Sequence, residues 1–116
     1  MADAPRAVAP FEAFAGLDLR VGRIERAEAF PEARRPAYKL WIDFGELGLK
    51  KTSAQLTDRY TVADLPGRLV VAVVNFAPKQ IGPFMSEVLV LGAVEPGGAV
   101  TLLTPEADVL PGTSIA

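Results

Sequence analysis

Leu56-Thr57-Asp58-Arg59-Tyr60-Thr61-Val62-Ala63-Asp64-Leu65-Pro66-Gly67 is the stretch on which the fold turns. It is helical in character from Leu56 to Leu65, Thr61-Val62-Ala63-Asp64 has the spacing of a capping box, and Pro66-Gly67 stops it. On either side lie strand patterns. Upstream, Tyr38, Leu40, Ile42 and Phe44 alternate with Lys39, Trp41 and Asp43, Gly45-Glu46-Leu47-Gly48 makes a hairpin turn, and Leu49 to Gln55 returns. Downstream, Arg68 to Asn75 carries the unbroken apolar run of a strand buried on both faces. A single short helix between the third and fourth strands is the order of an OB fold, with an SH3-like barrel as the structural rival.

Working outward, Leu19 to Phe30 reads as a long first strand. Its apolar phase slips after Val21 so that Ile24 is apolar, and Gly22 marks the expected bulge. Ser86 to Val94 is the next strand, and Glu95-Pro96-Gly97-Gly98 turns it into Ala99 to Thr104. Phe11, Phe14 and Ala15 share one face of a short helix ended by Gly16, which must dock to persist. The expected architecture is all-β: a five-stranded OB-fold Greek-key barrel with a short helix between strands 3 and 4 and short terminal extensions. Residues 1–10, rich in Ala and Pro, form a flexible N-terminal arm, and residues 11–116 form one domain.

Composition narrows the function. The chain has 116 residues, half of them hydrophobic, with a formal net charge of −2. It contains neither cysteine nor histidine, so disulfides, thiol chemistry and imidazole catalysis are excluded. Any metal site would be all-carboxylate, and the carboxylates are scattered, so neither metal nor cofactor is expected. Ser86-Glu87 lacks a base with clear spacing, and no catalytic residue is assigned. The longest apolar runs are far short of the roughly 20 residues of a membrane span. Met1-Ala2-Asp3-Ala4-Pro5-Arg6 is unlike a secretory start. Cytoplasmic location and no membrane insertion are the expectations.

Charge is uneven: residues 31–79 carry a net +3 and residues 80–116 a net −4. A basic middle can present a local cationic patch. Between two apolar strands, the loop from Asn75 to Ser86 gathers Phe76, Lys79, Phe84 and Met85. It reads either as a cap on the barrel core or as a binding rim at the barrel mouth. The candidate ligand residues are Lys39, Lys51 and Lys79 for charge, Ser53, Gln55, Asn75, Ser86 and Glu87 for hydrogen bonds, and Phe76, Phe84 and Met85 for apolar contact. Phe76 and Phe84 are expected to lie partly exposed beside a cleft. The apolar ends, Phe11 and Phe14 with Val109, Leu110 and Ile115, are the candidate homodimer interface.

Leu17-Asp18-Leu19-Arg20-Val21-Gly22-Arg23-Ile24, then Ala27-Glu28, Pro31-Glu32-Ala33-Arg34 and Tyr38-Lys39-Leu40, resemble the start of the tRNA-binding OB domain. That domain occurs free-standing in bacteria and attached to methionyl- and phenylalanyl-tRNA synthetases. Within that group, Lys39-Leu40-Trp41-Ile42-Asp43-Phe44-Gly45, Ser53-Ala54-Gln55-Leu56-Thr57, Val73-Val74-Asn75-Phe76 and Ser86-Glu87-Val88-Leu89-Val90-Leu91-Gly92 resemble the CsaA family. The resemblance implies a homodimeric cytoplasmic chaperone linked to protein export, with unfolded polypeptides or preproteins and the export machinery as partners, on a tRNA-binding fold. The tRNA-binding relatives tend to carry Ser-x-Gly-Met where this chain has Ser86-Glu87-Val88-Leu89. An acidic group there opposes phosphate and shifts the reading toward polypeptide. Three functions remain: a polypeptide-binding export chaperone, a tRNA-binding module, and a structural dimer that delivers a partner.

Overall fold

The structure is a computed structural model that describes residues 3–116. Residues 3–10 of the expected arm are exposed and irregular, and its first two residues lie outside the described residues. The chain then runs through α1 (Phe11–Ala15), β1 (Leu19–Ala29), β2 (Tyr38–Asp43), β3 (Leu49–Ala54), β4 (Leu69–Val73), β5 (Lys79–Ile81) and β6 (Phe84–Ser86). It ends with β7 (Leu89–Val90), β8 (Gly92–Val94), β9 (Val100–Leu102) and β10 (Ser114–Ile115). The main sheet has the order β3-β2-β1-β4-β7, and the pairings are antiparallel.

β1 bends the sheet into a barrel because its two halves serve different neighbours. Leu19 to Arg23 pairs with β4, while Arg23 to Ala29 pairs with β2. The bulge falls between Ile24 and Arg26, not at Gly22 as the phase slip suggested. Gly22 has another role. A Cβ there would sit 2.5 Å from Ile42 Cγ2 and 2.6 Å from the Phe44 ring, so only glycine lets those core side chains approach the strand. Gly22 therefore points into the barrel, and by strand alternation Val21 points away from it. Leu19 and Val21 are nonetheless buried, and β10 lies along the edge of β1 beyond the end of β2. Arg20 helps hold that tail: its guanidinium donates to the Gly112 carbonyl and to Asp18 at 2.6 Å. The bond to Asp18 and the attraction behind it raise the Arg20 pKa, against a smaller opposing effect of desolvation.

The barrel core contains Ile24, Leu40, Ile42, Phe44, Val70 and Ala72, with Leu56 and Leu65 from the segment between β3 and β4 packed into the same cluster. The helix expected over Leu56 to Leu65 is only a turn at Thr57–Arg59 followed by a 3-10 helix, Val62–Asp64. Thr61 is extended, and its N–H donates to the Asp64 carboxylate at 3.2 Å, so the helical segment begins only after it. Both leucines must reach the core from the two ends of the segment, and this favours the more extended path. The expected strand Ser86 to Val94 is broken into β6, β7 and β8. A single barrel with β1 shared between β2 and β4, and one short helix between β3 and β4, is the OB fold.

Candidate functional site

The loop after β4 is itself structured. β5 and β6 form a hairpin with Ile81 opposite Phe84. Gly82-Pro83 is its two-residue turn, and Gly82 adopts φ +55°, which L side chains rarely take. Alternation along β6 then sorts its side chains. Phe84 turns inward, Met85 is exposed, and Ser86 turns back toward β3.

Phe84 is 7% exposed, which corrects the expectation of a half-open aromatic. Its ring meets Phe30 edge-on at 5.4 Å and Trp41 at 6.0 Å, in a small second core completed by Ala37. Lys39 and Lys51 lie on one face of the β2–β3 pair, as the strand register requires. They do not flank an open groove. The Lys39 ammonium is 5.0 Å from the Phe30 ring and 5.5 Å from Phe84, and the Lys51 ammonium is 5.1 Å from Phe84. Cation–π attraction thus adds to the docking of the hairpin on the outside of the barrel.

Ser86 and Glu87 join the hairpin to β3. The Glu87 N–H donates to the Lys51 carbonyl at 2.8 Å, and Glu87 Oε1 accepts the Lys51 N–H at 2.9 Å. Ser86 Oγ accepts the Ser53 N–H at 3.1 Å and lies 2.9 Å from Thr52 Oγ1. The Thr52 hydroxyl, fully buried, donates to the Val88 carbonyl at 2.7 Å. This barrel seam is held largely by side chains standing in for a backbone ladder. Asn75 is also engaged: its side chain accepts the Asp18 N–H and donates to the Gly16 carbonyl, tying β4 to the segment before β1.

The remaining candidates meet around β5. Phe76, Lys79, Ser53, Ser86 and Glu87 line a cleft of about 310 Å³ together with Ala77, Ile81, Val88 and Leu89. Phe76 and Leu89 are about half exposed. On the other side of β5, Ser53, Gln55 and Lys79 line a wider groove of about 690 Å³ with Glu32, Arg34 and Arg35. Ser53, Lys79 and Ile81 line both, so the two adjoin across β5. Met85 lines neither. Arg34, Arg35, Ile81 and Leu89 were not anticipated as site residues. The paired arginines of the proline-bounded loop were the available signal for the first two; of the apolar pair, Ile81 is a single residue in the loop before Gly82-Pro83 and Leu89 is one of an apolar strand run, so neither stood out.

Of the proposed interface residues, Phe11 is 73% exposed, Phe14 43% and Leu110 81%, and α1 buries none of its residues. Val109 is half-buried, and Ile115 is occupied in β10 opposite Leu19. No helix among the described residues is long and apolar enough to cross a membrane.

Residues 19–114 match the family model described as a putative tRNA binding domain. The chain is 38% identical to the methionine–tRNA ligase of Archaeoglobus fulgidus over 104 residues, 90% of this chain but only 15% of that enzyme. It is 55% identical to the crystal structure of the chaperone CsaA from Bacillus anthracis, with TM-score 0.91, covering 95% of this chain and all of that one. The CsaA chaperone protein of Picrophilus torridus is 48% identical, with TM-score 0.88, over 94% of this chain and all of that one. A barrel matched along nearly its whole length at these identities leaves one conclusion: the chain belongs to the tRNA-binding domain family and, within it, to the CsaA chaperones.

Proposed function

We propose that this CsaA-type chaperone works as a homodimer that holds extended segments of unfolded polypeptide, preproteins among them, beside the β5–β6 hairpin. The observation that carries the reading is an apolar cleft at Phe76 and Leu89 that shares the Lys79 and Ser53 wall with a groove bearing Arg34 and Arg35. An exposed aromatic offers large area with few rotors to freeze, which suits broad recognition. The cationic rim supplies orientation and encounter rate more than affinity. Ser86 and Glu87 are engaged in the seam, and the reading involves no covalent step. Delivery to the export machinery in the cytoplasm completes it.

The alternative is tRNA binding through the same cations, favoured by the family match and by the basic groove. A side-by-side titration with an unfolded polypeptide and with tRNA, each at two salt concentrations, separates them. Nucleic-acid affinity falls steeply with salt, because each phosphate contact releases counterions. Binding through apolar contacts shows a weak salt dependence and a negative heat-capacity change. Polypeptide binding that survives high salt supports the chaperone reading. Binding of tRNA alone would replace it.

A further inference from the structure

Glu87 lies in the cleft wall with Phe76 and Lys79. Its position is fixed at both ends, by its N–H on the Lys51 carbonyl and by Oε1 on the Lys51 N–H. With one oxygen held, the carboxylate cannot swing away from the cleft as an exposed glutamate would. Its charge also goes without an ion-pair partner. The salt bridges among the described residues involve Asp18, Asp108, Glu28 and Glu95, and the Lys51 ammonium is turned over the Phe84 ring. A polyanion drawn to Arg34, Arg35 and Lys79 would meet this fixed negative charge in the adjoining cleft, whose lining shares Ser53 and Lys79 with the groove.

We propose that Glu87 determines the ligand class of the cleft: its fixed carboxylate turns the phosphate backbone of nucleic acid away and leaves polypeptide binding untouched. Phosphate contacts dominate nucleic-acid affinity, so one like charge in the path lowers it directly. A polypeptide backbone carries no net charge, and its N–H groups can donate to the second carboxylate oxygen. Discrimination can come from an element that repels the wrong ligand as well as from contacts to the right one. The proposal rests on the cleft being the ligand site of the preceding section.

Two variants of the full chain separate charge from seam. E87Q keeps an amide oxygen to accept the Lys51 N–H and loses the charge. E87D keeps the charge and shortens the reach. Each is titrated with tRNA and with a reduced, unfolded polypeptide at low salt, beside a melting curve. E87Q is expected to bind tRNA about two- to fivefold more tightly than the parent, the range of one partly exposed charge interaction. Its polypeptide affinity should stay within about twofold. E87D should bind tRNA as weakly as the parent. The proposal is overturned if E87Q gains no tRNA affinity, if E87D gains as much, or if parent and E87Q both fail to bind tRNA. An E87Q chain too unstable to titrate also overturns it, since the carboxylate would then act through the seam. Failure of the parent to bind polypeptide while E87Q gains tRNA affinity refutes the chaperone reading of the cleft and leaves the role of Glu87 standing.

Discussion

Phe84 is wedged between Phe30, Trp41 and the ammonium groups of Lys39 and Lys51, and it fastens the β5–β6 hairpin to the barrel. Phe84→Ala should therefore cost about 3–5 kcal/mol, the usual range for truncating a core phenylalanine. The melting temperature should fall by about 10 °C or more, and a loss of only a few degrees would show that the ring is not a plug. Phe76→Ala, at a half-exposed ring, should leave the melt within about 0.5 kcal/mol and weaken protection of an aggregating client. Asp64 gives a pH signature. Its bond from the Thr61 N–H, first among its causes, holds its pKa below the ordinary carboxylate value. The stabilisation is present above that ordinary value, about 3.9, and is lost as pH falls through the lower folded one. The stability gap between parent and Asp64→Asn should thus be constant near neutrality and begin to shrink only as the pH falls below about 4; a gap that does not change with acidification would sink this account.

At the scale of elements, the seam between β3 and the hairpin is where side chains replace backbone pairing. Thr52→Val keeps the shape but removes the donor to the Val88 carbonyl. Leaving that carbonyl unpaired should cost about 1–3 kcal/mol, and the Lys51 and Ser53 amides should exchange faster with deuterium. Unchanged exchange at both would place the seam's strength elsewhere. The groove beside β5 makes a separate prediction about charge. Replacing Arg34, Arg35 and Lys79 together by alanine should lower the tRNA salt slope by up to about three units, with less effect on polypeptide. Lys39→Ala should act on stability instead, because its ammonium lies against Phe30 and Phe84. An undiminished salt slope in the triple variant would remove the groove from any RNA path.

For the whole molecule, α1 is the feature a single copy does not explain. Five residues cannot sustain a helix alone, and this one buries none of its side chains. A twofold partner covering Phe11, Phe14 and Leu110 would account for it, since a symmetric interface buries the same patch twice. Light scattering should give twice the 12.3 kDa chain mass, and Phe11→Ala with Phe14→Ala should shift it toward the monomer. A parent at the monomer mass would refute the dimer. Deleting residues 110–116 is a poorer test, because Gly112 and Thr113 bond to Val21 and β10 pairs with β1.

The OB architecture was legible in the chain because it depends on local, repeating signals. Alternation from Tyr38 to Phe44, the turn at Gly45-Glu46-Leu47-Gly48 and the stop at Pro66-Gly67 act over a few residues. The candidate site was legible only as a neighbourhood: Phe76, Lys79 and Ser53 do come together, with Arg34 and Arg35 from a loop distant in sequence. The roles within it were not legible. Whether a phenylalanine plugs or recognises depends on which face of a three-residue strand it occupies, and β6 sets Phe84 inward and Met85 outward. Whether Ser86 and Glu87 help close the barrel depends on which backbone groups β3 leaves unpaired once β2 has taken its share. The sequence alone determined the alternation, the breaks and the charge balance, since each is set by neighbouring residues. The tertiary structure decided burial and partnership, because those arise from strands that meet across the closed barrel, far apart in the chain.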